Sequence, residues 1–304
     1  MMKVNTLLPI VCAFSLLSAC TSSGGDTPDT PEPPTNPTTT KLPIHISTTL
    51  SRVTDTGFDN ADKAGLYVVN HNSNGISVAL QASGNHVDNM RFTYSGSWTP
   101  DTPIYWTDET THADFYLYYP YTPSITDVTA VPFTTQADQS TQAGYKGSEL
   151  LAGYTSDVAP TDKAVGITVQ HLMSQLIITV AAGNGFTAEK LAAAHLAVKI
   201  NGVKTHALVN LQDATARATG EATSITPLKE DGKYKALIVP QTVEQGNLIT
   251  VTVDGRDYNL PKAFTFVGGK RNHMTVTLNK TSNGINVNID NWQDDGVDNG
   301  GKAE

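Results

Sequence analysis

The sequence predicts an all-β protein of two antiparallel β-sandwich domains, with at most one or two short helices. Short apolar stretches of period two recur from residue 42 onward, which is the pattern of strands with one buried face. Gly, Asn, Asp and Ser residues separate these stretches at short intervals, as turns do between antiparallel strands. Residues 187–194 suggest a short helix, with Thr187 as its N-terminal cap.

Composition and charge support this class and exclude others. The chain has 304 residues, of which 39% are hydrophobic and 16% charged, enough for two ordinary domains and unlike a disordered chain. Its net charge of −9 argues against nucleic acids or anionic lipid headgroups as partners. We therefore expect a folded β protein that does not bind nucleic acid.

Residues 1–20 are predicted to be a signal peptide. Lys3 provides a positive start, and the apolar stretch over residues 7–17 is too short to span a bilayer as a helix. The stretch ends in Leu17-Ser18-Ala19-Cys20, which resembles the lipobox of bacterial lipoproteins. In that family of signals the cysteine is acylated and becomes the new N-terminus, so Cys20 would be a lipid anchor. An ordinary secretory leader with an incidental cysteine is the alternative.

Residues 21–41 follow the leader and are rich in Pro and Thr. Such a segment cannot bury much apolar surface, and its prolines keep it extended. We interpret it as a disordered tether that lifts a globular body off the membrane.

The strand pattern is clearest in residues 42–50, directly after the tether. The apolar side chains fall on one parity, with Thr48 between them: Leu42, Ile44, Ile46 and Leu50. Polar residues and a proline occupy the other parity. A turn-rich loop follows, and it contains Arg52. We therefore predict a strand with one buried face, joined to the rest of the chain by a polar loop with one basic residue.

Residues 157–163 contain turn-forming residues and a proline, and they mark a predicted domain boundary. The N-terminal β-sandwich would cover residues 42–163 and the C-terminal one residues 164–292. A polar tail over residues 293–304 completes the chain.

Within the first domain, two stretches have distinct patterns. Residues 76–80 alternate and are predicted to be the second strand of a hairpin. Residues 115–119 are aromatic or apolar on both parities, which favours a strand buried on both faces. Nearby, Trp98, Tyr105 and Trp106 leave two interpretations open: core packing, or an exposed aromatic platform that stacks on sugar rings.

The sequence has no recognisable catalytic or cofactor motif. Signatures of serine hydrolases, zinc proteases and nucleotide-binding loops are missing, and the eight His residues share no ligand spacing. The acidic residues 294–300 could suggest calcium, but they lack the distal Glu of a helix–loop–helix site, and a solvated tail is the alternative. We predict no enzyme activity, no metal and no cofactor.

Several motifs together carry a family resemblance. An aromatic signature lies at Trp98, Tyr105-Trp106 and residues 114–121. Residues 171–176 read His-Leu-Met-Ser-Gln-Leu, and alternating Ile and Val residues precede Trp292. With the lipobox, and in this order, they resemble the fimbrillin-like (Mfa-like) family of Bacteroides-type bacteria over essentially the whole mature chain.

The resemblance implies a type V pilin or an accessory fimbrial subunit, with two β-sandwich domains of transthyretin-like topology. It implies export as a lipoprotein to the outer membrane and cell surface. It also implies that a trypsin-like protease cuts after a basic residue in the loop behind the first strand. Arg52 matches that position, so the cut would fall between Arg52 and Val53 and release the lipid with the first strand. The mature subunit would then join a fimbrium that supports adhesion.

Removal of a strand would leave a groove with unpaired backbone groups and uncovered apolar side chains. A strand from a neighbouring subunit can refill such a groove. The candidate donor is the alternating set Ile285, Val287 and Ile289. Because donor and groove are different surfaces, the contact is head-to-tail and can extend into a filament. The tail over residues 293–304 leaves open whether this donor strand swings out.

The expected partners follow from this scheme. They are other pilin subunits, the outer membrane through the lipid, the processing protease, and surface ligands of a host or bacterium. A surface-anchored glycan-binding lipoprotein, with the aromatic platform as its site, is the alternative function.

Overall fold

The computed structural model describes residues 41–50, 57–281 and 284–289. Strands account for most of these residues and the helices are two and short, which confirms the predicted all-β class. The strands are β1 (Ile46–Leu50), β2 (Lys63–Asn70), β3 (Val87–Tyr94), β4 (Trp98–Pro100), β5 (Ala113–Tyr119), β6 (Val131–Thr134), β7 (Leu151–Val158), β8 (Val165–His171), β9 (Ser174–Ala182), β10 (Leu196–Asn210), β11 (Thr215–Ile225), β12 (Leu228–Glu230), β13 (Lys233–Ile238), β14 (Gln241–Val243), β15 (Asn247–Val253), β16 (Arg256–Pro261), β17 (Phe264–Phe266), β18 (Arg271–Thr281) and β19 (Gly284–Ile289). The helices are α1 (Gln142–Lys146) and α2 (Ala188–Ala193).

A seven-stranded sheet has the order β1-β8-β7-β5-β2-β3-β4. Its central strand β5 is hydrogen-bonded to β2 on one side and to β7 on the other. Phe115 and Leu117 belong to one hydrophobic cluster, and Tyr118 belongs to another. The predicted burial of this strand on both faces is therefore confirmed.

Two five-stranded sheets and a two-stranded sheet follow. One runs β11-β10-β15-β16, with β6 also paired to β10, and the other runs β12-β13-β9-β18-β19, while β14 pairs with β17. Ile200 and Val251 of the first five-stranded sheet share a hydrophobic core with Ile178 and Ile238 of the second. Sheets that bury a common core in this way are packed as a sandwich.

The sheets do not change at the predicted boundary after Lys163. β8 begins at Val165, beyond that boundary, yet it pairs with β7 and β1 in the seven-stranded sheet. β6 lies before the boundary and pairs with β10. Residues 157–163 therefore connect two antiparallel neighbours, β7 and β8, and the turn signal there marks a hairpin. The division into two independent domains stays a prediction.

Among the strands in the described part of the chain, two ladders are parallel, contrary to the expectation of purely antiparallel sheets. β1 runs parallel to β8, and β9 runs parallel to β18. Parallel neighbours need a long connection, and in both pairs many other strands intervene along the sequence. The alternation of single strands predicts burial but carries no information about the direction of a distant partner.

The helices illustrate what a cap signal predicts. α2 follows the predicted cap, because the Thr187 hydroxyl accepts a hydrogen bond from the N–H of Lys190 at 3.3 Å. α1 lies in a stretch that reads as a polar loop, and Thr141 caps it by accepting from the N–H of Gly144 at 3.1 Å. Its five residues are too few for a periodic signal. Among the described residues, no helix has the length and apolar character needed to cross a membrane.

Residues 76–80 do not form the predicted strand. The hairpin partner of β2 is β3, with Leu66 opposite Met90. The side chain of Ile76 is exposed, and the hydroxyl of Ser77 donates to the carboxylate of Asp114. A side-chain bond thus holds this stretch where a backbone ladder was expected.

Candidate functional site

The segment over residues 42–50 carries the predicted alternation. Ile44 is 3% exposed and Ile46 is 6% exposed, both within the cluster that also contains Phe115. Leu42 and Leu50 are partly buried against the same cluster. The side chains on the other parity are exposed. We call residues 42–50 the first segment.

Backbone hydrogen bonds hold the first segment on both of its edges. Near its start, the N–H of Ile44 donates to the carbonyl of Ile104 at 2.9 Å. At the next residue, His45, the carbonyl accepts a hydrogen bond from the N–H of Val165 at 2.8 Å, where the parallel ladder with β8 begins. Neighbouring residues of a strand direct their backbone groups to opposite edges. The first segment therefore lies in a groove between residues 104–106 and β8.

The floor of this groove is apolar. The buried side chains that share a cluster with the first segment include Trp98, Ile104, Trp106, Val165, Ile167 and Val169. Trp106 meets Phe115 edge to face, with ring centroids 5.5 Å apart. Its indole N–H donates to the carbonyl of Thr161 at 3.1 Å, whereas its backbone N–H donates to the carbonyl of Leu42 in the first segment at 2.9 Å.

A hydrogen bond joins the first segment to a side chain in the apolar floor of the groove. The indole N–H of Trp98 donates to the hydroxyl of Thr48 at 2.9 Å. Thr48 is the polar member of the otherwise apolar parity of the first segment. On the opposite, exposed parity, the Thr49 and Thr168 hydroxyls lie 3.2 Å apart.

The alternative of an aromatic sugar platform is wrong for these residues. Trp98 is 8% exposed and Trp106 is 3% exposed, so neither presents a ring face to solvent. Tyr105 is 39% exposed and lies on the other parity from Trp106. The two tryptophans instead pack under the first segment, in keeping with the alternative of core packing.

The chain is anchored again immediately after residues 51–56. The ring of Phe58 packs against Trp98 at 4.8 Å and against Tyr119 at 5.6 Å, centroid to centroid. The Lys146 ammonium forms ion pairs with Asp59 and, at 3.0 Å, with Asp62. Partial burial lowers the pKa of Lys146, but the hydrogen bonds to these two carboxylates outweigh it and raise that pKa above its usual value. A break before Phe58 would therefore leave β2 fixed in place.

The candidate donor strand lies at the edge of a different sheet. β19 pairs antiparallel with β18 and is the last strand in the order β12-β13-β9-β18-β19. Val276 and Leu278 of β18 are fully buried in the sandwich core. The register sets Ile285 opposite Lys280, Val287 opposite Leu278 and Ile289 opposite Val276. Donor strand and groove are thus separate parts of one chain.

A polar network at one end of the seven-stranded sheet was not predicted from the sequence. Nε2 of buried His71 lies 2.9 Å from Oδ1 of Asp114, and Nδ1 lies 3.2 Å from the carbonyl of Gly75. Asp114 also accepts from the hydroxyl of Ser77 and, at 2.8 Å, from the N–H of Asp157. Burial raises the pKa of Asp114, but these hydrogen bonds outweigh it, so the pKa lies below its usual value. The one signal of this network in the sequence is that a carboxylate, Asp114, directly precedes the aromatic strand over residues 115–119.

His71 faces hydrogen-bond acceptors on both ring nitrogens, which suits the protonated ring. The hydrogen bond to Asp114 accordingly raises the pKa of His71. Ser77 binds the carboxylate and not the histidine, so the three residues do not form a nucleophile–base pair. Among the described residues, no cluster of three or more metal-ligating side chains is present.

Several predicted site residues lie outside the described residues. These are Cys20 with the signal peptide, Arg52 and Val53 at the expected cut, residues 290–292 with the terminal Trp292, and the tail over residues 293–304. The tether is likewise outside, apart from Lys41. The expectations for them stay predictions.

Comparison with known families decides the assignment. The model of the family described as fimbrillin-like matches residues 51–292, which is most of the chain. This chain belongs to the fimbrillin-like family. The predicted resemblance is therefore confirmed. The match runs from Ser51 to Trp292.

Relatives of this fimbrillin-like chain agree in length and fold. A Bacteroides uniformis protein provisionally named fimbrium subunit Fim1C is 26% identical over 306 residues, covering 96% of each chain. A crystal structure from Bacteroides uniformis, provisionally named a cell adhesion protein, has a TM-score of 0.61 at 22% identity and covers 84% of this chain and 99% of its own. A similarly named Bacteroides ovatus structure has a TM-score of 0.64 at 14% identity, covering 83% and 96%. These structures share the fold of this chain.

Proposed function

We propose that this fimbrillin-like protein is a structural subunit of a surface fimbria that supports adhesion. In this proposal it is exported as a lipoprotein through Cys20, is cut after Arg52, and then polymerises by strand replacement. The first segment fills the groove until the cut, and β19 of a neighbouring subunit takes its place. The role is structural and needs no catalysis.

The observation that carries the proposal is the place of β1 in its sheet. β1 is an edge strand beside β8, whereas β2, which follows it in sequence, lies four places further along the sheet. Loss of β1 therefore breaks no ladder between the other six strands. A strand in the middle of the sheet could not be removed in this way, because its loss would separate the strands on either side.

The removal is costly enough to drive replacement. Ile44 and Ile46 are buried, and each contributes roughly 1.5–3 kcal/mol relative to exposure. The backbone groups of Val165 and Ile104 that bind the segment would also lose their partners. An incoming strand with alternating apolar residues restores both the burial and the backbone hydrogen bonds.

The position of the retained chain supports the same order of events. Phe58, Asp59 and Asp62 are fixed by Trp98, Tyr119 and Lys146, so the new N-terminus would stay tethered to the sheet. In the floor of the groove, the Trp106 ring would keep its hydrogen bond to Thr161 and its edge-to-face contact with Phe115. These retained contacts favour a groove that can accept a second strand.

The test is N-terminal sequencing of the chain in isolated surface fibres. We expect Val53 as the first residue, and we expect Arg52→Gln to leave the chain membrane-bound and unpolymerised. Arg217→Gln makes the same chemical change at an arginine of β11, away from the groove, and should assemble like the wild type. Fibres built from chains that begin at Cys20, or normal fibres from Arg52→Gln, would overturn the proposal.

A further inference from the structure

We propose that Trp98 sets the register of the strand in the groove, and that Asn291 of the incoming chain takes the place of Thr48. This inference rests on the proposed strand replacement and adds the alignment that replacement requires. It makes Trp98 a positioning residue for assembly and Asn291 its partner.

The first step is the cost of an unpaired indole. Trp98 is 8% exposed, and the partner of its N–H within the first segment is the Thr48 hydroxyl at 2.9 Å. When the first segment leaves and an apolar side chain takes the place of Thr48, this buried donor has lost its acceptor. A strand with an acceptor at that place avoids the penalty.

The second step is that alternation alone leaves the register open. A strand of period two keeps its apolar face when it slips by two residues, so burial does not choose between such registers. A single polar position on the buried face does choose, as a buried asparagine does in a coiled coil. In the first segment, that position is Thr48, opposite Trp98.

The third step is the sequence of the candidate donor. Residues 285–291 read Ile-Asn-Val-Asn-Ile-Asp-Asn, and residues 42–48 read Leu-Pro-Ile-His-Ile-Ser-Thr. When the two stretches are aligned in the same direction, the apolar residues of the donor coincide with those of the first segment: Ile285 with Leu42, Val287 with Ile44 and Ile289 with Ile46. Asn291 then coincides with Thr48. The polar residues between them coincide with the exposed parity of the first segment.

Slips in both directions are disfavoured. The slip of two residues that sets Gln293 at the place of Thr48 also sets the polar side chain of Asn291 at the place of Ile46, which is 6% exposed. Slips in the other direction fail at Trp98. A slip of two residues sets Ile289 at the place of Thr48, and a slip of four sets Val287 there. Either slip leaves the indole N–H facing a side chain without an acceptor. The side-chain oxygen of Asn291 can accept this hydrogen bond, so the register with Asn291 at this place is the favoured one.

The experiment measures binding of synthetic peptides of residues 284–293 to protein cut after Arg52 and freed of its first segment. We expect the Asn291→Val peptide to bind about tenfold more weakly than the wild-type peptide. The Asn288→Val peptide changes an asparagine on the other parity and is the matched control, with less than about a twofold effect. Trp98→Phe keeps an aromatic ring but removes the donor, so the wild-type and Asn291→Val peptides should bind that protein equally well.

A cross-link reads the register directly. Gly166 is opposite Ser47, and its position leaves ordinary space for a side chain. With Gly166→Cys, we expect a disulfide to the Asp290→Cys peptide and little to the Asn288→Cys peptide. With Trp98→Phe in addition, the preference should fall.

The outcomes separate this inference from the proposed function. An Asn291→Val penalty of the same size on wild-type and Trp98→Phe protein, or cross-linking mainly to Asn288→Cys, would overturn the register and leave strand replacement standing. Failure of every peptide to bind the emptied groove would overturn strand replacement itself. Thermal unfolding of Trp98→Phe before the cut checks that the protein still folds.

Discussion

β1 and β5 belong to the same sheet but are held in opposite ways. β5 has a neighbour along both edges and is buried on both faces, whereas β1 lies at the edge with one buried face. β5 is also joined through its side chains to two hydrophobic clusters. The difference teaches that loss of β1 would leave the other ladders of this sheet intact, whereas loss of β5 would separate β2 from β7.

The largest expected effect tests the centre of the sheet. Phe115 is fully buried and packs against Trp106. We expect Phe115→Ala to lower the free energy of unfolding by about 3–5 kcal/mol, because it opens a cavity that neighbours on both sides cannot fill. Chemical denaturation measures this effect. The loss should persist after the cut at Arg52, since β5 stays in the sheet.

The next effect tests the edge. We expect Ile46→Ala to lower the free energy of unfolding of the uncut protein by about 2 kcal/mol. This is the low end for a buried isoleucine, because a site at the edge of a sheet relaxes more easily. After the cut, the same change should speed release of the first segment and leave the stability of the remaining chain unaltered. His45→Ala, on the exposed parity, is the control. An Ile46→Ala cost that persists after release of the segment would contradict the comparison.

A smaller effect distinguishes the side of β1 that faces the core from the side that is exposed. Thr48→Val removes the acceptor of the buried Trp98 indole, and Thr49→Val removes a hydroxyl contact at the exposed face. We expect Thr48→Val to lower the free energy of unfolding by about 1–2 kcal/mol and Thr49→Val to lower it by less than about 0.5 kcal/mol. Denaturation of the uncut variants measures both. Equal costs would mean that the Trp98 contact does not help to hold the segment.

The smallest expected effect concerns pH and the network of His71 and Asp114. The hydrogen bond to Asp114 raises the pKa of His71, so the folded state binds this proton more tightly than the unfolded chain. The resulting stability is fully present below the unfolded pKa of about 6.5 and is lost as pH rises through the higher folded pKa. Melting temperatures of the wild type should therefore fall through this window.

His71→Gln should lose that pH dependence, because the glutamine cannot gain or lose the proton. His195→Gln, at a site just before β10, should keep it. The groups that face His71 are Asp114, Asp157 and His112, and all three are retained in both variants. A His71→Gln protein with the wild-type dependence would assign the effect to another group.

Local patterns predicted the parts of the fold that depend on local physics. The alternation of Ile44 and Ile46 predicted their burial, the aromatic run predicted a strand buried on both faces, and Thr187 predicted the start of α2. Each of these follows from side-chain direction or from a cap within a few residues.

The parts that failed depend on distant partners. Ile46 pairs with Val165, which is far along the chain, and period two says nothing about that partner or its direction. Residues 76–80 alternate as well as β1 does, yet Ser77 is bound by Asp114 and no ladder forms there. The contact between Trp98 and Thr48 likewise needed the fold, because the sequence shows only a tryptophan and a threonine far apart along the chain.

Amide hydrogen exchange at Val165 tests the central claim most directly. Its N–H donates to the first segment, at the carbonyl of His45. We expect it to be protected before the cut, to exchange fast when the segment has left, and to be protected again in assembled fibres, while amides of β5 stay protected throughout. Unchanged protection of Val165 after loss of residues 42–52 would contradict the account.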